Sequence, residues 1–196
     1  MGMLAAIAVA IALSTAVTYI LGFDSPDQQV SGNEEAAEES CSSAVQGSPE
    51  EIDSVARGEV IPLEQVNDPV FSQKLMGDGV GVRIEEDVIH APVSGKLALV
   101  AETCHAFGII TETGQEVLVH IGIDTVKENG NGFRLLRHEG ESVRLGDPVI
   151  EVNRSALGAK GYDLTTMIIL TNPANQAIEF VSSNTADCST VVGKPK

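Results

Sequence analysis

The chain has 196 residues, 43% of them hydrophobic, with 19 Gly and no Trp, enough for one domain with a real core plus additional sequence. Its net charge of −16 is unevenly spread: residues 24–54 hold nine acidic side chains and no Lys or Arg, and the remaining −7 comes from 12 basic against 19 acidic residues from Val55 onward. No basic stripe is present to neutralise phosphates, which excludes nucleic acid as a partner but leaves a basic protein surface open. Cys41, Cys104 and Cys188 are scattered, odd in number and without a Cys-x-x-Cys pair. This argues against a disulfide framework or a zinc ribbon and suits a reducing compartment.

In chain order, residues 3–23 (MLAAIAVAIALSTAVTYILGF) are apolar and uncharged, long enough to cross a bilayer as a helix. No Lys or Arg precedes the run, which weakens the competing reading as a cleaved leader. The expected division is therefore a transmembrane helix over 1–23, a flexible acidic linker over 24–54 and a folded domain over 55–196. The linker is rich in Glu, Ser, Gln and Gly and cannot bury enough apolar surface to offset its ordering entropy. With Arg57 the first basic residue, charge does not orient the span.

From Val55 the texture changes to short apolar runs closed by turn residues. The pattern predicts strands over 58–62, 77–83, 88–93, 95–100, 107–111, 116–123, 141–145, 148–152 and 166–170, and a terminal strand over 190–192. Residues 63–65 and 155–160 read as short helical turns. Many short strands at this spacing predict an all-β sandwich or barrel.

The run EVLVHIGIDT, residues 116–125, alternates Val117, Val119, Ile121 and Ile123 with Leu118, His120 and Gly122, as a half-buried strand does. If the β-branched set faces the core, His120 stands on the opposite face, uncovered by Gly122. Fifteen residues upstream, His105 is expected on a strand face shared with Thr103 and Phe107, since residues two apart point the same way. A hydroxyl at that spacing can fix the tautomer of an imidazole. Cys104 should point the other way, into the core. His90 and His138 read as ordinary residues, and Asp124 as a turn former or a neighbour of the histidines. Two histidine-bearing strands can therefore share one reactive spot.

The stretch ETCHAFGIITETGQEVLVHIGIDTV, followed by GFRLLRHEGESVRLGDPVIEV, resembles the IIA domain of the glucose/sucrose/β-glucoside class in the bacterial phosphoenolpyruvate-dependent sugar phosphotransferase system. VFSQKLMGDGVGV and HAPVSGKL resemble that family's first strands, and the likeness runs from about Gly58 to Val192. The resemblance implies an antiparallel β-sandwich of duplicated hybrid type. It also implies a phosphohistidine at His120, a second active-site histidine at His105, and a hydrogen-bonding neighbour at Thr103. Val70 and Phe71, with Asp68, Asp124 and Phe107, fall where the family docks its partners. Cys104 and Ile121 depart from the family, where Asn and an aromatic residue are usual. STAVTYILGF resembles the last helix of a sugar-translocating IIC domain, which places the IIA domain on the cytoplasmic side of the cell membrane. The chain then reads as the end of a IIB-IIC-IIA permease or as a IIA domain with its own anchor.

The resemblance implies that His120 takes a phosphoryl group from the carrier HPr and passes it to a IIB cysteine, with no cofactor. Two other classes compete. A zinc hydrolase of a related β-fold would use both histidines as ligands, but needs a third protein ligand that does not stand out. A regulatory module would dock transporters or kinases and let phosphate switch the affinity.

Overall fold

A computed structural model describes residues 51–174 and 176–196 of the chain. The expected transmembrane helix and nearly all of the expected linker lie outside the described residues. Among the described residues no helix is long and apolar enough to cross a membrane.

Apolar alternation and turn glycines produce an all-β domain whose strand pairs are all antiparallel. Among the described residues its main sheet has eight strands. In spatial order these are β13 (Ser183–Ala186), β2 (Gly58–Pro62), β3 (Asp78–Ile84), β11 (Thr165–Asn172), β7 (Glu116–Ile121), β6 (Ala106–Ile110), β5 (Gly95–Val100) and β9 (Ser142–Val143). Two three-stranded sheets accompany it. One orders β4 (Val88–His90), β10 (Pro148–Val152) and β8 (Phe133–Leu135); the other orders β1 (Ile52–Asp53), β14 (Val191–Pro195) and β12 (Ile178–Phe180). Ile52, in the stretch expected to be linker, is fully buried and pairs with Gly193, because an isolated large aliphatic residue there finds a place in the core. The ordered domain thus includes Ile52, Asp53 and Ser54.

The strand carrying His120 differs from expectation in an instructive way. Val117, Val119 and Ile121 enter the main core with Phe107, Ile109 and Ile168, as the alternation predicts. Leu118, on the other face, is also buried, in a second cluster with Ile61, Leu63, Val66, Phe71, Met167 and Ile169. Strand β7 is therefore buried on both faces rather than half-buried. The cover over its second face comes from the loop between β2 and β3, a 3-10 turn at Leu63–Gln65 followed by the helical turn Pro69–Ser72. That helical turn starts where it does because Pro69 is preset for a first helical position and the Asp68 carboxylate accepts a hydrogen bond from the Val70 N–H at 2.8 Å.

Close approach of β3 to β11 explains one glycine of the GDGVGV motif. A Cβ on Gly79 would lie 2.0 Å from the Ile168 carbonyl oxygen. Gly77, where the expected strand 77–83 begins, has a positive φ and stands just outside β3, which starts at Asp78.

Candidate functional site

His120 occupies a central position in the main sheet, paired with Met167 of β11 on one side and Ala106 of β6 on the other. Its ring rises on the face of the smaller cluster, where Phe71 lies 5.0 Å away, centroid to centroid, at an interplanar angle of 54°. The His105 ring meets it edge to face, with centroids 5.1 Å apart and planes at 80°. The expected meeting of the two histidines is what the fold brings about.

The route by which His105 arrives is different from the expected shared strand face. Strand β6 begins only at Ala106, and the chain before it turns: the Cys104 N–H donates to the Ala101 carbonyl at 2.7 Å and Cys104 takes a left-handed φ of 53°. This break in the alternation separates His105 from the parity of Phe107. Within the turn the Thr103 hydroxyl lies 2.5 Å from His105 Nδ1, so the expected threonine–histidine pair forms through a turn instead of a strand. The His105 carbonyl in turn accepts from the Ile121 N–H at 2.8 Å. Cys104 packs against the main core, as expected.

Burial sets the electrostatics. Only 9% of His120 is exposed, and desolvation, reinforced by the neighbouring His105, pushes its pKa down from 6.5 to about 3. The Gly122 carbonyl and the Asp124 carboxylate oppose this weakly. Gly122 does not close a full hydrogen bond, however, and His120 Nδ1 remains buried without a partner. The exposed part of the ring's polar edge is therefore Nε2. His105 is likewise shifted down by burial. Both rings are neutral at neutral pH, and each retains one nitrogen lone pair.

The other residues expected at the site fall into distinct places. Phe71 is 3% exposed and forms a wall of the site rather than a docking rim, and Val70 is buried beside it. Asp68 spends its carboxylate on the helix cap. Asp124 adopts a left-handed φ of 62° and pairs with Lys127 at 2.7 Å, leaving its side chain substantially exposed. Phe107 is fully buried in the main core, because it pairs with Val119 and shares its face; it offers nothing to a partner.

On sequence alone Gly122 has only the part of leaving the His120 ring uncovered and Thr125 has none, yet both build the turn beside the site. Gly122 ends β7 with φ 71°, and a Cβ there would lie 2.6 Å from Thr125 Cγ2. Thr125 is fully buried and donates its hydroxyl to the Ile121 carbonyl at 2.5 Å. The signal lay in the polar residues that follow an apolar strand in GIDT. Among the described residues no three His, Cys, Asp or Glu side chains are grouped to hold a metal ion. Two surface concavities, one between Lys74 and Phe180 and one between Arg57 and Asp187, lie elsewhere, and neither is lined by His105 or His120.

An all-β domain with two neutral, facing imidazoles thus defines a protein with a paired-histidine site. The family model of the phosphoenolpyruvate-dependent sugar phosphotransferase system, EIIA 1, matches residues 50–176, and the chain belongs to that family. It carries a IIA domain of the glucose class. It is 43% identical over 146 residues to a PTS system glucose-specific EIICBA component of Streptococcus pneumoniae, a match covering 74% of this chain and 20% of the relative. It is 39% identical over 164 residues to a PTS system beta-glucoside-specific EIIBCA component of Bacillus subtilis, covering 84% of this chain and 26% of the relative. Among solved structures, glucose permease IIA from Mycoplasma capricolum superimposes with a TM-score of 0.69 at 34% identity, over 73% of this chain and 93% of that one. The chain spans only 20% and 26% of the length of the two curated relatives.

Proposed function

We propose that His120 is a phosphoryl carrier, loaded from the phosphohistidine of HPr and discharged to the cysteine of a IIB domain during sugar uptake. The observation that carries this reading is the His105–His120 pair itself, in which a neutral ring keeps its buried nitrogen inward and Nε2 toward the open side. For Nε2 to attack, the ring proton must reside on Nδ1. The Nε2 lone pair then forms the new N–P bond while the donor's P–N bond breaks, and its electron pair returns to the donor imidazole. Discharge reverses the roles, with a cysteine thiolate as the attacking group.

Phosphoryl transfer requires positioning and donors aimed at the equatorial oxygens. His105 fits that second role. When the Thr103 hydroxyl donates to Nδ1, the His105 proton sits on Nε2 and can donate to a phosphoryl oxygen. The walls supplied by Phe71 and Met167 shield the labile P–N bond from water. Partner docking then falls to the surface around this site, including Asp68 and the exposed side chain of Asp124.

In the same reading, the uncharged run 3–23 is a membrane span continuous with a IIC domain, the acidic stretch after it is a tether, and the IIA domain works at the cytoplasmic face. The names of the two curated relatives, EIICBA and EIIBCA, support a setting with IIB and IIC components, and in EIIBCA the C component comes directly before the A component. The test is phosphorylation by phosphoenolpyruvate, enzyme I and HPr: wild type should be labelled on histidine and His120→Ala should not.

A further inference from the structure

Lys74 follows the helical turn that carries Val70 and Phe71, at the position where such a turn ordinarily ends in Gly or Asn. Its φ is 56°, in the left-handed region that disfavours a residue with a Cβ. Two capping hydrogen bonds close the turn there. The Lys74 N–H donates to the Phe71 carbonyl at 2.8 Å, and the Leu75 N–H donates to the Val70 carbonyl at 3.2 Å. The turn at Lys74 thus holds the backbone of the residue whose ring lies 5.0 Å from that of His120. A glycine would cap it with less strain. The lysine side chain supplies something else: its Nζ lies 2.8 Å from Glu64 Oε1 and 2.8 Å from Asp78 Oδ1. Glu64 belongs to the 3-10 turn that opens the loop between β2 and β3, next to the buried Leu63, and Asp78 begins β3 where the loop closes. One ammonium therefore ties the middle of the loop to both of its ends.

We infer that Lys74 is a positioning residue for His120: by clamping Glu64 and Asp78 it holds the loop between β2 and β3 down on the sheet and keeps the Phe71 ring against the imidazole. The inference rests on the phosphoryl-carrier reading for its purpose, since a wall held over His120 keeps water from the P–N bond. Its physical content is separate, because the clamp acts in the unphosphorylated domain. Both ion pairs are open to solvent, with side-chain exposures of 40% for Lys74, 57% for Glu64 and 54% for Asp78. Salt therefore screens them, and the wall loosens as ionic strength rises. The apolar burial of Phe71 in the second cluster is not screened in this way, so a salt response singles out the clamp.

The experiment is the rate at which diethyl pyrocarbonate modifies His120 in the unphosphorylated full chain, read by peptide mass spectrometry relative to the exposed His138. The wild-type rate should rise between about 0.05 M and about 0.5 M sodium chloride as the clamp is screened. Lys74→Gly, which keeps the left-handed turn and removes the ammonium, should react about threefold to tenfold faster at the lower salt and show no further rise. In a Phe71→Ala background Lys74→Gly should change nothing, because the wall it positions is gone. The proposal is overturned by a Lys74→Gly rate equal to wild type, or by one that climbs with salt as wild type does. A wild-type rate indifferent to salt, or an undiminished effect of Lys74→Gly on Phe71→Ala, overturns it too. Should the Phe71→Ala background not fold, the wild-type and Lys74→Gly salt series still decide. Once phosphorylated, Lys74→Gly should lose the group to water faster by a similar factor, and equal loss overturns the purpose given to the clamp. Failure of wild type to accept phosphoryl from phospho-HPr would instead sink the carrier reading and leave the clamp standing.

Discussion

His105 and His120 meet edge to face with their ring centroids 5.1 Å apart, and burial together with this proximity keeps His120 neutral far below the ordinary histidine range. The consequence for stability has a definite sign. Below about pH 6.5 the unfolded chain takes a proton at this residue that the folded chain refuses until near pH 3, so the unfolded state is favoured as pH falls across that window. His120 should then contribute a loss of up to about 1.4 kcal/mol per pH unit. Urea unfolding of wild type and His120→Gln between pH 7 and pH 4 checks this. Wild type should lose stability faster on acidification; parallel losses would mean that the ring is not buried neutral.

Thr103 has one identified partner at the site, His105 Nδ1. Thr103→Val strands that buried nitrogen and should cost about 1–3 kcal/mol of stability. Loading of His120 should persist, whereas discharge to a IIB domain should slow, because His105 loses its fixed tautomer. Thr103→Ser should recover both. Stopped-flow or quench measurements of loading and discharge separate the two steps.

Gly122→Ala places a Cβ 2.6 Å from Thr125 Cγ2 and 3.0 Å from the Asp163 carbonyl, at a φ of 71°. Backbone strain and overpacking together should destabilise the domain by about 2–4 kcal/mol. Denaturant unfolding of the variant gives the number, and a loss under 1 kcal/mol would show that the turn relaxes freely.

Phe71 and Phe107 are both buried, on opposite faces of the sheet. Truncating either to Ala should cost about 3–5 kcal/mol. Only Phe71→Ala should move the ring resonances and titration of His120, since of the two phenylalanines Phe71 is the one that lies against that ring. Equal effects from both would contradict the placement of Phe107 in the main core.

Much of this arrangement is written in local patterns. Strands β2, β5 and β10 coincide with the apolar runs at 58–62, 95–100 and 148–152, and the pairing of the two histidines follows from their motifs. What escaped has a common cause. Ser183–Ala186 is a polar edge strand whose partner, β2, is more than a hundred residues earlier, and no periodicity within four residues reveals such pairing. Alternation in β7 distinguishes one face from the other but cannot show that a distant loop covers the second. The expected strand geometry around His105 failed at one residue, Cys104, whose left-handed φ resets which way the following side chain points. A cysteine there gives no local warning, unlike the Asn the family more often carries, a residue type that tolerates this conformation.

Phosphate labelling from phosphoenolpyruvate, enzyme I and HPr, run side by side on wild type, His105→Gln and His120→Ala, tests the assignment of the acceptor most directly. Wild type and His105→Gln should both take the label, with His105→Gln failing to pass it to a IIB domain, and His120→Ala should remain unlabelled. Labelling of His120→Ala to the wild-type level would contradict the account.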